Sequence, residues 1–161
     1  MTSPLDTAIV AGFGLVIGSF LNVCIYRLPR GESVVSPASR CPSCSQRLRW
    51  LDPIPIFSWM YRRGRCYHCR CVVPSVYPIV EAVTGMAFVL QFWQLGWQPL
   101  LAVRLLFVAA MIVLFVIDLQ HRMLPNALTL PGLTIGLVAS VFLEPGWRAA
   151  VLGVIIGGGA L

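Results

Sequence analysis

The sequence predicts an all-α polytopic membrane protein of about four to five transmembrane helices, with a small cytoplasmic zinc-ribbon-like insert between helices 1 and 2. Three observations carry that prediction. Apolar runs long enough to cross a bilayer recur along the chain, separated by short polar links. Hydrophobic residues fill 58% of the 161 positions and charged residues only 11%, where soluble domains carry about a quarter charged, and mean hydropathy is +0.82. A single stretch, 27–75, interrupts the apolar pattern with arginines, prolines and two CxxC pairs.

The first element, within residues 1–26, is the apolar run Thr7–Tyr26, "TAIVAGFGLVIGSFLNVCIY". No basic segment precedes it and no small-residue cleavage site follows, so it reads as a span rather than a signal peptide. Its Gly12, Gly14, Gly18 and Ser19 suit close helix packing. Asn22 near its far end is expected to face protein or the interface.

Residues 27–75 form the one expected soluble module. All twelve basic residues of the chain are arginines, and nine of them lie here (27, 30, 40, 47, 49, 62, 63, 65 and 70) against Glu32 and Asp52. Such a loop could bind nucleic acid, but beside apolar spans it reads as a cytoplasmic loop under the positive-inside rule. No nucleic-acid partner is expected; the surrounding partner is membrane lipid. The N-terminus is then outside, and the link from Asp118 to Asn126 lies on the cytoplasmic side with the module.

Residues 76–161 are read as a transmembrane core with helices at about 76–95, 100–117, 127–143 and 148–161. Glu81 lies inside the first of these, and Arg104 near the start of the second reads as snorkelling to the outer interface. Pro125 and Asn126 open the third as cap-like residues. The last run, from Ala149, has thirteen residues, about 20 Å of helix against a hydrocarbon core of about 30 Å. Either it is re-entrant or the protein continues past Leu161; we expect it to continue.

Within the module, Cys41 and Cys44 form one CxxC pair and Cys66 and Cys69 a second, with twenty-one residues between. Each pair can offer two thiolates to one edge of a tetrahedron, so the four cysteines predict one bound Zn²⁺ per chain. A polar segment this short cannot build a sufficient core, and bound metal supplies the missing folding free energy. Nearby arginines favour thiolate over thiol. Disulfides fit poorly with a cytoplasmic loop. His68 and Cys71, in "CYHCRC", remain open as spare ligands, and Cys24 reads as a small buried hydrophobe.

Among the acids, Asp118 is the best placed for chemistry. It ends the apolar run "MIVLFVI", where desolvation and a neighbouring acid can tune a carboxyl group. A helix C-terminus disfavours negative charge, so a structural role alone would favour a cation there. Glu81 could pair with loop arginines, cap its helix or line a site.

Taken together, "GSFLNVCIYRLPRGESVVSPASRCPSC", "LRWLDPIPIFSWMYRRGRCYHC", "YPIVEAVTG" and "IDLQHRMLPNALTLPG" resemble, in order and over almost the whole chain, the type IV prepilin leader peptidases, whose long forms are also N-methyltransferases. The resemblance implies a multi-pass enzyme of the bacterial inner membrane that cuts the leader from type IV prepilins and pseudopilins at the cytoplasmic face. It further implies methylation of the new N-terminal residue with S-adenosyl-L-methionine as donor. Carried onto this chain, Asp118 becomes the first of two catalytic aspartates, Cys41, Cys44, Cys66 and Cys69 the metal ligands, and Glu81 and Asn126 supporting residues. Asp52-Pro53 departs from the family's usual Asn before Ile-Pro. The family's second aspartate stands in a "GxGDxK" segment that residues 1–161 do not contain, so these residues alone are expected to be inactive as a protease. The competing expectation is a non-catalytic, membrane-anchored zinc module or assembly partner of a pilus or type II secretion system.

Overall fold

A computed structural model describes residues 3–36, 41, 43–47, 55–142 and 146–159. Asp52-Pro53 and residues 143–145, at the end of the predicted 127–143 helix and in the link after it, lie outside the described residues. The described residues contain six α-helices and no strand: α1 (Pro4–Arg27), α2 (Phe57–Tyr61), α3 (Val76–Leu95), α4 (Pro99–His121), α5 (Asn126–Phe142) and α6 (Trp147–Gly159). Three of them are long and apolar enough to cross a membrane: α1 with the 3₁₀ turn that follows it (Leu28–Arg30), α3 and α4. α5 and α6 are apolar but shorter. The chain divides into two compact units, Met1–Met123 and Leu124–Leu161.

In the first unit, α1 starts where Ser3, in an extended conformation, accepts the Leu5 N–H on its hydroxyl, with Pro4 opening the helix and Asp6 in the first turn. It ends through the 3₁₀ turn at Gly31, whose φ of 67° needs no side chain in the left-handed region. Val10, Gly14, Gly18, Leu21, Asn22 and Ile25 are buried along one stripe. Leu5, Ile9, Phe13, Val16 and Phe20 are exposed round the rest of the helix, the pattern of a span whose outer face meets lipid.

The stripe of α1 packs on α3 through small residues. A methyl group on Gly14 would sit 2.8 Å from Gly85 Cα, and one on Gly18 would sit 2.7 Å from Glu81 Cα. The two glycines are four apart, so they form one groove along which the backbones meet. Gly12 has nothing within 4 Å of the corresponding position and takes no part. Polar groups in the interface are paired: the Asn22 amide donates to the Tyr77 carbonyl (3.0 Å), and the fully buried Thr84 hydroxyl donates to the Val80 carbonyl (2.7 Å).

α4 differs from its expected end at Ile117. The helix continues a further turn through Asp118, Leu119, Gln120 and His121, and stops where Arg122 adopts a left-handed conformation (φ 51°) and its N–H bonds the Asp118 carbonyl at 2.8 Å. The polar residues that end the apolar run do not end the helix, because hydrogen bonding along the backbone continues until a residue leaves the helical region.

In the second unit, the carbonyl of Pro125 receives the Leu128 and Thr129 N–H groups and so starts α5, which packs against α6. Pro131 lies inside α5 and has no N–H for the helix ladder; the Thr134 hydroxyl bonds its carbonyl at 2.8 Å.

Candidate metal centre and the Asp118 helix end

Segment 27–75 leaves α1 at Arg27, which is buried and whose guanidinium donates to the Ser33 carbonyl at 2.8 Å. Its described part is built around two knuckles of the same design. In the first, the Cys41 N–H bonds the Gln46 carbonyl (2.9 Å), the Ser45 N–H bonds the Cys41 carbonyl (2.8 Å), and Ser45 takes φ 56°. In the second, the Cys66 N–H bonds the Cys71 carbonyl (2.9 Å), the Arg70 N–H bonds the Cys66 carbonyl (3.2 Å), and Arg70 takes φ 61°. The second knuckle tips a short hairpin closed by an Arg65–Val72 bridge and by the Val73 N–H on the Gly64 carbonyl (2.7 Å). Trp59 of α2 braces this hairpin. Its indole N–H donates to the Val73 carbonyl (3.1 Å), and its ring lies where a side chain on Gly64 would clash.

The knuckles bring the thiols together. The Sγ atoms of Cys41, Cys66, Cys69 and Cys71 all lie within 4.8 Å of one another. Cys41 Sγ is 3.9 Å from Cys69 Sγ and 3.7 Å from Cys71 Sγ. A tetrahedron with Zn–S bonds of about 2.3 Å has S···S edges of about 3.8 Å, so these separations fit a tetrahedral thiolate metal. The Cys44 thiol also meets the thiols of Cys41, Cys66 and Cys69. The mutually close group thus differs from the predicted set of Cys41, Cys44, Cys66 and Cys69: it contains Cys71, with Cys44 meeting three of its members from outside it. The signal for Cys71 was its place two residues after Cys69, which spacing rules for a CxxC ligand set do not use. His68 is exposed, with its ring edge-on to Tyr67 at 5.2 Å.

The electrostatics of the group follow from its crowding. Burial pushes the Cys41 thiol up, but the backbone N–H groups of Cys44 and Ser43 and the thiols of Cys66 and Cys44 outweigh it and bring it to about 6. The Ser43 hydroxyl draws the Cys71 thiol down, yet Cys69, burial and the charge on Cys41 push it up to about 11. One thiolate thus suppresses the ionisation of its neighbours. A bound cation reverses that logic, because it favours every coordinating sulfur as thiolate.

Glu81, from α3, ties the module to the helix pair. Its buried carboxylate accepts the Ile56 N–H at 2.6 Å and also meets the Ser19 side chain. Ile56 has φ 59°, rare for a β-branched residue, and the Phe57 N–H folds back onto the Pro55 carbonyl around it. Sequence reasoning could not find this partner, because a backbone N–H leaves no mark in residue identity.

Asp118 is exposed in the last turn of α4, with its carbonyl held by Arg122. Asn126 is exposed as the first residue of α5, in the second unit. Cys24 is buried within α1.

Comparison with known proteins places this architecture. Residues 13–95 match the bacterial peptidase A24 N-terminal domain, and residues 105–161 match the type IV leader peptidase family. The first match takes in more than half of the chain, which belongs to the bacterial peptidase A24 family. Curated relatives include a prepilin leader peptidase/N-methyltransferase of Myxococcus xanthus, 38% identical over 96% of this chain and 46% of the relative. Proteins of the same name from Dichelobacter nodosus (33% identical, 98% of this chain, 65% of the relative) and Neisseria gonorrhoeae (35%, 96% and 63%) are similar in the same way. The chain thus spans about half to two thirds of the length of these relatives. No solved structure matches it.

Proposed function

We propose that the protein containing this chain processes type IV prepilins or pseudopilins in the bacterial inner membrane, cutting the leader at the cytoplasmic face and methylating the new N-terminal residue. The observation that carries this reading is the family match over both 13–95 and 105–161, with Asp118 at a helix end inside the second region. Asp118 is one of two aspartates, and the second comes from a "GxGDxK" segment outside residues 1–161. Two carboxyl groups close together share one proton, so the ionised member takes a proton from the attacking water while the protonated member donates to the peptide. The substrate's leader is cytoplasmic and its following segment apolar, which requires the cut where a helix meets the cytoplasm. An acid in the last turn of α4 is suited to that depth.

The cytoplasmic module, 27–75, is a zinc-ribbon-like domain holding one Zn²⁺ through Cys41, Cys66 and Cys69 with a fourth thiolate, for which Cys44 completes the CxxC pattern. When bound, the metal supplies folding free energy to a segment whose only buried apolar side chains among the described residues are Cys41 and Cys66. Glu81 supports the site by fixing where the module sits on α1 and α3, and Asn126, the first residue of α5, is a supporting residue by the family resemblance alone. Methyl transfer uses S-adenosyl-L-methionine and rests on the relatives' printed activity. The protein is multi-pass with its N-terminus outside; α5 and α6 add to the three long spans.

The test incubates the full-length protein in lipid vesicles with a prepilin and S-adenosylmethionine and reads the product by intact mass. The expected product lacks its leader and carries one added methyl group. A product that is neither shortened nor methylated would leave the non-catalytic anchored module as the reading.

A further inference from the structure

The two knuckles match at their first, fifth and sixth residues (Cys41, Ser45 and Gln46; Cys66, Arg70 and Cys71): the same N–H to carbonyl closure, and the same left-handed fifth residue. The sixth position is glutamine in one and cysteine in the other, so the knuckle itself does not call for a thiol there. Yet Cys71 turns its sulfur into the group, 3.7 Å from Cys41 Sγ and within 4.8 Å of Cys66 and Cys69. Its thiol also meets the hydroxyl of Ser43, the neighbour of Cys44 in the opposite knuckle. Cys44 approaches the same three sulfurs, Cys41, Cys66 and Cys69, from that knuckle. Three thiols are therefore common to two possible tetrahedra, and Cys44 and Cys71 compete for one corner.

We propose that Cys71 is a fifth, exchangeable metal ligand that shares the fourth coordination position with Cys44, leaving one free thiol beside the metal at all times. The inference rests on reading the cluster as a tetrahedral thiolate centre. The exchange is balanced without any redox partner. As the incoming thiol binds the metal it gives up its proton, and the leaving thiolate takes a proton up; one metal–sulfur bond forms while one breaks. Cys41 and Cys66 are buried, Cys44 and Cys71 partly exposed and Cys69 exposed, so the exchanging corner is open to solvent, and Cys69 is held by its place in both tetrahedra rather than by burial. Such a centre keeps its metal when either exchanging cysteine is lost.

The test uses the full-length, zinc-loaded protein and reads metal content together with alkylation by iodoacetamide, mapped by mass spectrometry. In the wild type, one zinc per chain is expected. Within the module one label per chain is expected, divided between Cys44 and Cys71, with Cys41, Cys66 and Cys69 protected. Cys44→Ser and Cys71→Ser should each keep one metal with affinity within about tenfold of wild type, while the double variant falls by more than about a hundredfold. A label confined to one of the two cysteines, or one single variant that loses the metal while the other is unchanged, overturns the proposal. A wild-type protein with no bound metal refutes the tetrathiolate reading itself and the exchange with it. The labelling pattern needs no variant, so a misfolded serine substitution cannot obscure the answer.

Discussion

Along α1 and α3 two backbones approach almost without side chains between them: Gly14 meets Gly85, Gly18 meets Glu81, and the few polar groups bond within the interface. The described part of the module that joins these same helices in sequence has no comparable packing. Its described part is held by knuckle hydrogen bonds, a Trp59 brace and converging thiols, with only Cys41 and Cys66 as buried apolar side chains. The helix pair is held by steric fit, whereas the described part of the module has little core and has four thiols close enough to hold a metal. One carboxylate, Glu81, belongs to both, since its backbone lines the glycine groove and its side chain holds the Ile56 N–H. Loss of metal should therefore loosen the module and spare the helix pair, and an enlarged glycine should do the reverse.

Metal removal should have the largest effect. Structural zinc contributes on the order of 10 kcal/mol to small thiolate domains, more than this module can replace from its own interior. Chelation is expected to make residues 27–75 sensitive to protease while far-UV dichroism stays near its starting value, because the long helices remain. A module that stays resistant after its metal has been removed would break the contrast.

Gly18→Leu comes next. Its first carbon would meet backbone, which cannot rotate away, so the helices must separate, at about 3 kcal/mol in a detergent unfolding titration. Gly12→Leu on the open face should change the same titration by less than about 0.5 kcal/mol. Equal effects at the two positions would mean that the glycine groove is not the contact that holds the pair.

Smaller effects test the link between the regions. Glu81→Met leaves the Ile56 N–H without an acceptor and should destabilise the protein by about 2 kcal/mol. Glu81→Gln keeps an acceptor and should lose about half of that. Hydrogen exchange at the Ile56 amide, faster in the first variant than in the second, reads the contact directly. Trp59→Phe removes only the indole bond to Val73 and should change stability by about 1 kcal/mol, seen as faster proteolysis at the 64–73 hairpin with the helix pair unaffected.

Much of this division was legible in the sequence, for physical reasons that differ by region. Span length and composition are properties of single residues counted along a chain, and α1, α3 and α4 follow from them. Gly12, Gly14, Gly18 and Ser19 read alike as packing residues, and Gly12 could not be separated from Gly14 and Gly18, because which face of α1 meets α3 depends on tertiary contact. α4 runs to His121, past the expected end at Ile117, since polarity marks where an apolar run stops and not where backbone hydrogen bonding does. In the module, CxxC spacing pointed to thiolate chemistry, while the inward turn of Cys71 depends on the hairpin register between Gly64 and Val73. The partner of Glu81 was invisible, being a main-chain N–H.

The most direct measurement is prepilin cleavage by the full-length protein carrying Asp118→Asn, with zinc content measured on the same sample. If Asp118 is half of the aspartyl pair, cleavage falls by about a hundredfold or more, the scale of a lost acid–base group, while one zinc per chain remains bound. Cleavage at the wild-type rate with the metal in place would contradict the account.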